Sequence, residues 1–100
     1  RAVAEVFGCA TAATSTKPFT GHTLGAAGAL EAAFVWGAVS RRDNPQGLLP
    51  PQLWDGVRDA ELPPIALTVS GCRWPDGRRI GASSSFAFGG NNSVLIIGEP

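Results

Sequence analysis

A layered α/β domain organised around one buried central helix is the fold class that three stretches of this chain predict. From Leu24 to Val39 the residues are almost all Ala, Gly, Leu, Phe, Val and Trp, with Glu31 the only charge. A helix of that composition is apolar on nearly every side and needs cover all round. Ser93 to Gly98, Ser-Val-Leu-Ile-Ile-Gly, is a continuous apolar run of the kind found in a strand buried on both faces. Between them, Gly47 to Pro64 carries Pro50-Pro51 and Pro63-Pro64, which excludes a regular helix or a central strand there.

In chain order, Arg1-Ala2-Val3-Ala4-Glu5-Val6-Phe7 reads as a helix closed by Gly8. Ala10 to Thr16 reads as a short strand, supported by the β-branched Thr11, Thr14 and Thr16, and it leads into a turn at Lys17. The apolar helix follows. Gly25 and Gly28 each cost about 1 kcal/mol relative to Ala inside an exposed helix, so another backbone is expected to come close to them. After Val39, Arg41 and Arg42 suit the negative carboxyl end of the helix, and Pro45 prevents its continuation. In the proline-rich segment, Trp54 is read as a lid over local apolar surface. Ile65 to Ser70 reads as a strand, and Trp74 to Arg79 as a turn with Asp76-Gly77 at its tip. Arg79 to Phe86 and Ser93 to Gly98 are expected to pair antiparallel across a turn in which Gly89 and Gly90 take positive backbone angles, with Phe86 and Phe88 in the core.

Composition narrows the function. Eight Lys plus Arg balance eight Asp plus Glu, so net charge points to neither nucleic acid nor a membrane surface. Glu31 and the glycines interrupt the one long apolar run, so neither a membrane span nor a secretory signal is expected in these residues. The chain reads as a single domain over 1–100 that begins without methionine inside a helix, and the expectation is a piece of a longer protein. Cys9 and Cys72 have neither CxxC spacing nor a second histidine for a metal site, and each reads as a small core residue.

The leading site candidate is His22, the only histidine, between a Thr20-Gly21 pair and the apolar helix. Near a helix start, unpaired amides and the positive end of the dipole favour a neutral ring, and Lys17 adds to that influence. A neutral imidazole donates from one nitrogen and accepts at the other, which suits it to stabilising a developing oxyanion. Capping or core packing is the alternative for a single histidine in this position.

Ser15-Thr16-Lys17-Pro18-Phe19-Thr20-Gly21-His22-Thr23-Leu24-Gly25-Ala26-Ala27-Gly28-Ala29-Leu30-Glu31 resembles the signature of β-ketoacyl-(acyl carrier protein) synthases, the decarboxylating condensing enzymes of fatty acid and polyketide synthesis. Ser85-Phe86-Ala87-Phe88-Gly89-Gly90-Asn91-Asn92 resembles the Ser-Phe-Gly-Phe-Gly-Gly-x-Asn loop of the same family, with Ala87 in place of the usual glycine. The resemblance implies an α/β fold, the carboxy-terminal half of a thiolase-like fold with a mixed sheet packed on the buried central helix, the amino-terminal half being absent.

It also implies roles. His22 would stabilise the enolate oxyanion formed when malonyl-carrier protein loses carbon dioxide, and Lys17 would be held charged by Glu31. A buried lysine keeps its proton only beside such a carboxylate. The Phe88 amide would contribute to an oxyanion hole and its ring would gate the acyl chain, with Phe86, Gly89, Gly90 and Thr20 lining the substrate site. The family's nucleophilic cysteine and second histidine match nothing here, so the piece would be inactive alone. No metal or organic cofactor is implied beyond the phosphopantetheine of acyl carrier protein, which would be the partner of a cytoplasmic dimer, either a homodimer or a ketosynthase heterodimer. Two other readings stay in view. A chain-length-factor-like partner of a ketosynthase is one, which Lys17, His22 and Glu31 weigh against. The other is a thiolase, which Gly21-His22-Thr23-Leu24-Gly25-Ala26-Ala27-Gly28 resembles but whose terminal glycine loop carries a cysteine absent from Phe86 to Asn92. A nucleotide site is disfavoured because the glycine loop has neither GxGxxG spacing nor a Gly-Lys-Ser/Thr.

Overall fold

Glycines close the two short helices, at Gly8 and Gly21, in the computed structural model, which describes all 100 residues. The chain divides into two compact units, Arg1–Gly21 with Pro50–Cys72, and His22–Leu49 with Arg73–Pro100.

In the first unit, α1 (Ala2–Phe7) ends at Gly8, whose N–H closes the last turn on Ala4 O at 3.0 Å and whose φ of 73° turns the following chain away from the helix. Strand β1 (Ala12–Ala13) pairs parallel with β2 (Ala66–Leu67), Ala12 opposite Ala66 and Ala13 opposite Leu67. Both strands are shorter than the sequence implied. Prolines cannot donate to a ladder, and the flanking chain is held instead by single bonds. Thr68 N–H donates to Ala13 O, Gln52 N–H to Thr68 O, and the buried Thr68 hydroxyl to Pro50 O. The turn expected at Lys17 is a single helical turn, α2 (Lys17–Thr20), with Pro18 in its first turn, where a missing N–H costs nothing. Cys9 is exposed rather than a core residue, since the loop after Gly8 carries it away from any packed surface.

In the second unit a 3₁₀ turn (Leu24–Ala26) leads into α3 (Ala27–Val39), close to the helix limits read from the apolar run. Strands β3 (Ile80–Ala87) and β4 (Asn91–Gly98) form the expected antiparallel hairpin, in register from Ile80 opposite Gly98 to Ala87 opposite Asn91. Helix α3 packs on both strands. Gly81 makes this possible: a Cβ there would stand 2.8 Å from Val35 Cγ1 and 3.4 Å from Trp74 Cη2. Parallel and antiparallel pairings both occur, in separate two-stranded sheets.

The carboxyl end of α3 is cross-linked heavily. Ala38 O accepts from Trp74 Nε1 at 2.8 Å and Asn44 Nδ2 at 2.9 Å, which satisfies a carbonyl that the helix itself leaves open. Asn44 also donates to Leu48 O and accepts from Leu48 N–H. Arg79, only 5% exposed, donates from Nη1 to Asn44 O at 2.7 Å. Arg41 forms an ion pair with Glu99 at 2.6 Å and donates to Gly77 O, tying the helix end to the last strand.

Three expectations need correction. Helix α3 is not buried: Val39 is 4% exposed but Trp36 is 64% exposed, because a two-stranded ribbon covers one side of a helix and no more. Strand β4 is likewise open, with Val94, Leu95 and Ile96 all exposed. No backbone approaches Gly25 or Gly28; Gly25 faces open space, and a Cβ on Gly28 would meet only Ser85 Oγ at 3.6 Å.

Candidate functional site

The local backbone around each candidate explains its position. In the first unit, Gln52 Oε1 accepts the Ser15 N–H at 2.7 Å and the Thr14 hydroxyl at 3.3 Å, which fixes the chain entering α2. Ser15 Oγ in turn lies 3.4 Å from Lys17 N. Lys17 is therefore the first residue of an anchored turn, and its side chain is exposed. Thr20 Oγ1 reaches Thr16 O at 3.2 Å and Gly21 O at 3.1 Å and can donate to one at a time. Gly21, with φ 74°, then turns the chain out of α2.

The second unit holds His22, Glu31, Phe86, Phe88, Gly89 and Gly90. His22 is exposed and precedes the 3₁₀ turn rather than capping α3 directly. Glu31 lies in the second turn of α3 and is half-buried. The beginning of α3 meets the end of β3, where Gly28 faces Ser85, the residue before Phe86. Beyond it the hairpin turns through Phe88, Gly89 and Gly90, with φ values of 51°, 72° and 139°. The positive angles expected of Gly89 and Gly90 are present. Phe86 and Phe88, however, are not core residues. Phe88 is 90% exposed, because a residue at the tip of an antiparallel turn has no packed layer within reach.

Leu24 (φ 48°) and Phe88 (φ 51°) are the positive-φ residues other than glycine. Each costs about 1–2 kcal/mol for its Cβ. Such outliers cluster at functional sites, and the inference runs from strain to function. Leu24 was not singled out by its residue type, and neither was Gln52, whose role depends on partners distant in sequence. The Phe88 amide makes no backbone hydrogen bond in the turn, which is closed by Gly90 N–H to Ala87 O. It is thus a main-chain donor with its hydrogen uncommitted, next to an exposed aromatic ring.

The electrostatic features lie elsewhere. Glu99 is held below its ordinary carboxyl value of 4.5, first by the Arg79 backbone N–H at 3.0 Å and then by Arg41. No three His, Cys, Asp or Glu side chains are grouped where they could share a metal ion.

Comparison with known proteins adds to this geometry. The family model for the carboxy-terminal domain of β-ketoacyl synthase matches residues 1–53, the segment that contains Lys17, Thr20, His22 and Glu31. The chain is 32% identical over 91 residues to polyketide synthase ThaG of Burkholderia thailandensis, covering 86% of this chain and 2% of that protein. It is 37% identical over 87 residues to 3-oxoacyl-[acyl-carrier-protein] synthase 2 of Rhizobium meliloti, covering 84% of this chain and 18% of that protein. The chain thus spans less than a fifth of the length of either relative. No solved structure matches it.

Proposed function

Given that the chain belongs to the β-ketoacyl synthase family, as its carboxy-terminal domain, we propose that it forms part of a condensing enzyme of fatty acid or polyketide synthesis. The observation that carries the reading is the family match across the histidine stretch, with Lys17, His22 and Glu31 in order inside it.

In this mechanism malonyl-carrier protein loses carbon dioxide as the bond between its α-carbon and carboxylate breaks. The electron pair passes into the thioester enolate, and the His22 ring N–H donates to the oxygen where that charge accumulates. The enolate carbon then attacks the acyl thioester of a nucleophile supplied outside these residues, the carbon–carbon bond forms, and a thiolate leaves. The Phe88 amide, uncommitted in its turn, donates to the oxyanion of that tetrahedral step. Lys17 and Glu31 act as a pair that positions charge near the pocket, while Phe86, Phe88, Gly89, Gly90 and Thr20 bound the acyl channel. Catalysis would need the rest of the protein, so the chain alone turns nothing over. Acyl carrier protein as partner, a dimeric assembly, cytoplasmic placement and the need for no cofactor beyond carrier-borne phosphopantetheine belong to the same proposal. No helix is long and apolar enough to cross a membrane.

The test is an assay of the full-length protein with malonyl-carrier protein and an acyl thioester, following carbon dioxide release and 3-oxoacyl product separately. Activity is expected, and His22→Ala should lower decarboxylation about 100- to 1,000-fold, the usual cost of one lost oxyanion donor. A full-length protein that neither decarboxylates nor condenses, with any acyl chain offered, overturns the reading.

A further inference from the structure

The second unit holds a polar cavity of about 230 Å³ built at the tied end of α3, where it is lined by Arg41, Arg73 and Arg79, with Asp76 the one carboxylate among the lining residues. The three guanidiniums are compensated unequally. Arg41 is neutralised by Glu99 at 2.6 Å. Arg73 and Arg79 are held by carbonyl oxygens alone, Arg73 Nη1 on Gln46 O at 3.1 Å and Arg79 Nη1 on Asn44 O at 2.7 Å. Arg79 is 95% removed from solvent yet makes no ion pair. Glu99, whose carboxylate accepts from the Arg79 backbone N–H, compensates part of the Arg79 charge from a distance, which leaves Arg73 the least compensated of the three.

The walls are fixed before any ligand arrives. Leu48 and Arg73 form an antiparallel bridge, and Trp74 N–H donates to Gly47 O at 2.8 Å. Gly47, at φ 67°, bares the guanidinium: a Cβ there would stand 2.7 Å from Arg79 Nη2. A pocket whose donors need no rearrangement spends little of its binding energy on ordering.

We propose that this cavity is a binding site for a phosphate group. Neither Arg73 nor Arg79 has a carboxylate at ion-pair distance, the arginines of the lining outnumber its one carboxylate, and the planar guanidinium fork fits phosphate oxygens in bidentate fashion. The volume exceeds that of one phosphate, so a free ion and a phosphate ester of a small alcohol both fit. The site is independent of the condensing reaction proposed above.

The experiment is calorimetric titration of the full-length protein with inorganic phosphate, glycerol phosphate and malonate, ionic strength being held constant with chloride. Phosphate binding is expected, weakened about tenfold by Arg73→Gln, whose side chain is exposed and whose loss spares the fold. Arg42→Gln, which removes an exposed charge outside the cavity, should leave it unchanged. Tighter binding of glycerol phosphate than of phosphate identifies an ester as the ligand, and the reverse identifies the free ion. Equal weakening by Arg42→Gln and Arg73→Gln overturns the proposal, as does a preference for malonate or no binding at millimolar phosphate.

Discussion

The two ends of helix α3 differ in how tightly they are held. At its carboxyl end Val39 is buried, Ala38 O takes two side-chain donors, and Asn44, Arg79 and Arg41 tie the helix to the loop and to the last strand. At its amino end His22, Leu24, Phe86 and Phe88 are exposed, two of them in strained backbone, and the helix touches the hairpin through Gly28 and Ser85. One end carries the unit's cross-links, and the other is open to solvent.

The comparison breaks if the two ends respond alike to loss of a side chain. Asn44→Ala removes three hydrogen bonds at the tied end, each contributing about 1 kcal/mol, so a loss of about 3 kcal/mol is expected in denaturant unfolding. His22→Ala, at the open end, should stay within about 0.5 kcal/mol of the parent in the same measurement, as surface substitutions do. Similar losses for both would make the histidine a structural residue after all.

A glycine-to-alanine pair sharpens the contrast, because the same methyl group meets different surroundings. At Gly81 it collides with Val35 Cγ1 at 2.8 Å, and a β-branched helical side chain has little freedom to move aside. Overpacking of this kind costs about 1–3 kcal/mol. At Gly28 it finds only Ser85 Oγ at an ordinary 3.6 Å, and helix propensity should then stabilise by about 0.5 kcal/mol. Melting temperatures shifted in opposite directions are the expected result. A fall at both positions would mean that the open end is packed more tightly than its contacts indicate.

The sequence was most informative at the open end, and the reason is local. Helix limits followed from an apolar run ending before Pro45, and the hairpin turn from Gly89-Gly90, since both depend on near neighbours. The histidine stretch was recognisable as a motif for the same reason. The tied end was not readable in this way. Asn44 looks like any loop residue and Arg79 like any exposed charge, and their roles come from carbonyls that the fold brings to them. The parallel pairing of Ala12 with Ala66 is equally non-local. Burial was misread for one physical reason: an all-apolar helix states that cover is needed and does not state which segment supplies it.

Acidification offers the gentlest probe of the same difference. The Glu99 carboxyl lies below its ordinary value of 4.5, because the Arg79 N–H and the Arg41 guanidinium bind its charged form. A carboxyl depressed in the folded state stabilises fully above that ordinary value, and the contribution is lost as pH falls below it and through the folded value. Melting temperature should therefore hold from neutral pH to about 5 and then decline in the acid range. Glu99→Gln should melt lower at neutral pH and decline less, since part of the titrating contribution is gone. The release should loosen the carboxyl end first, with amide exchange rising around Ala38 and Asn44 before it changes in the middle of the β3–β4 ladder. An unchanged acid decline in Glu99→Gln would assign the pH dependence to other carboxylates, and the tie at Glu99 would then be one of geometry rather than charge.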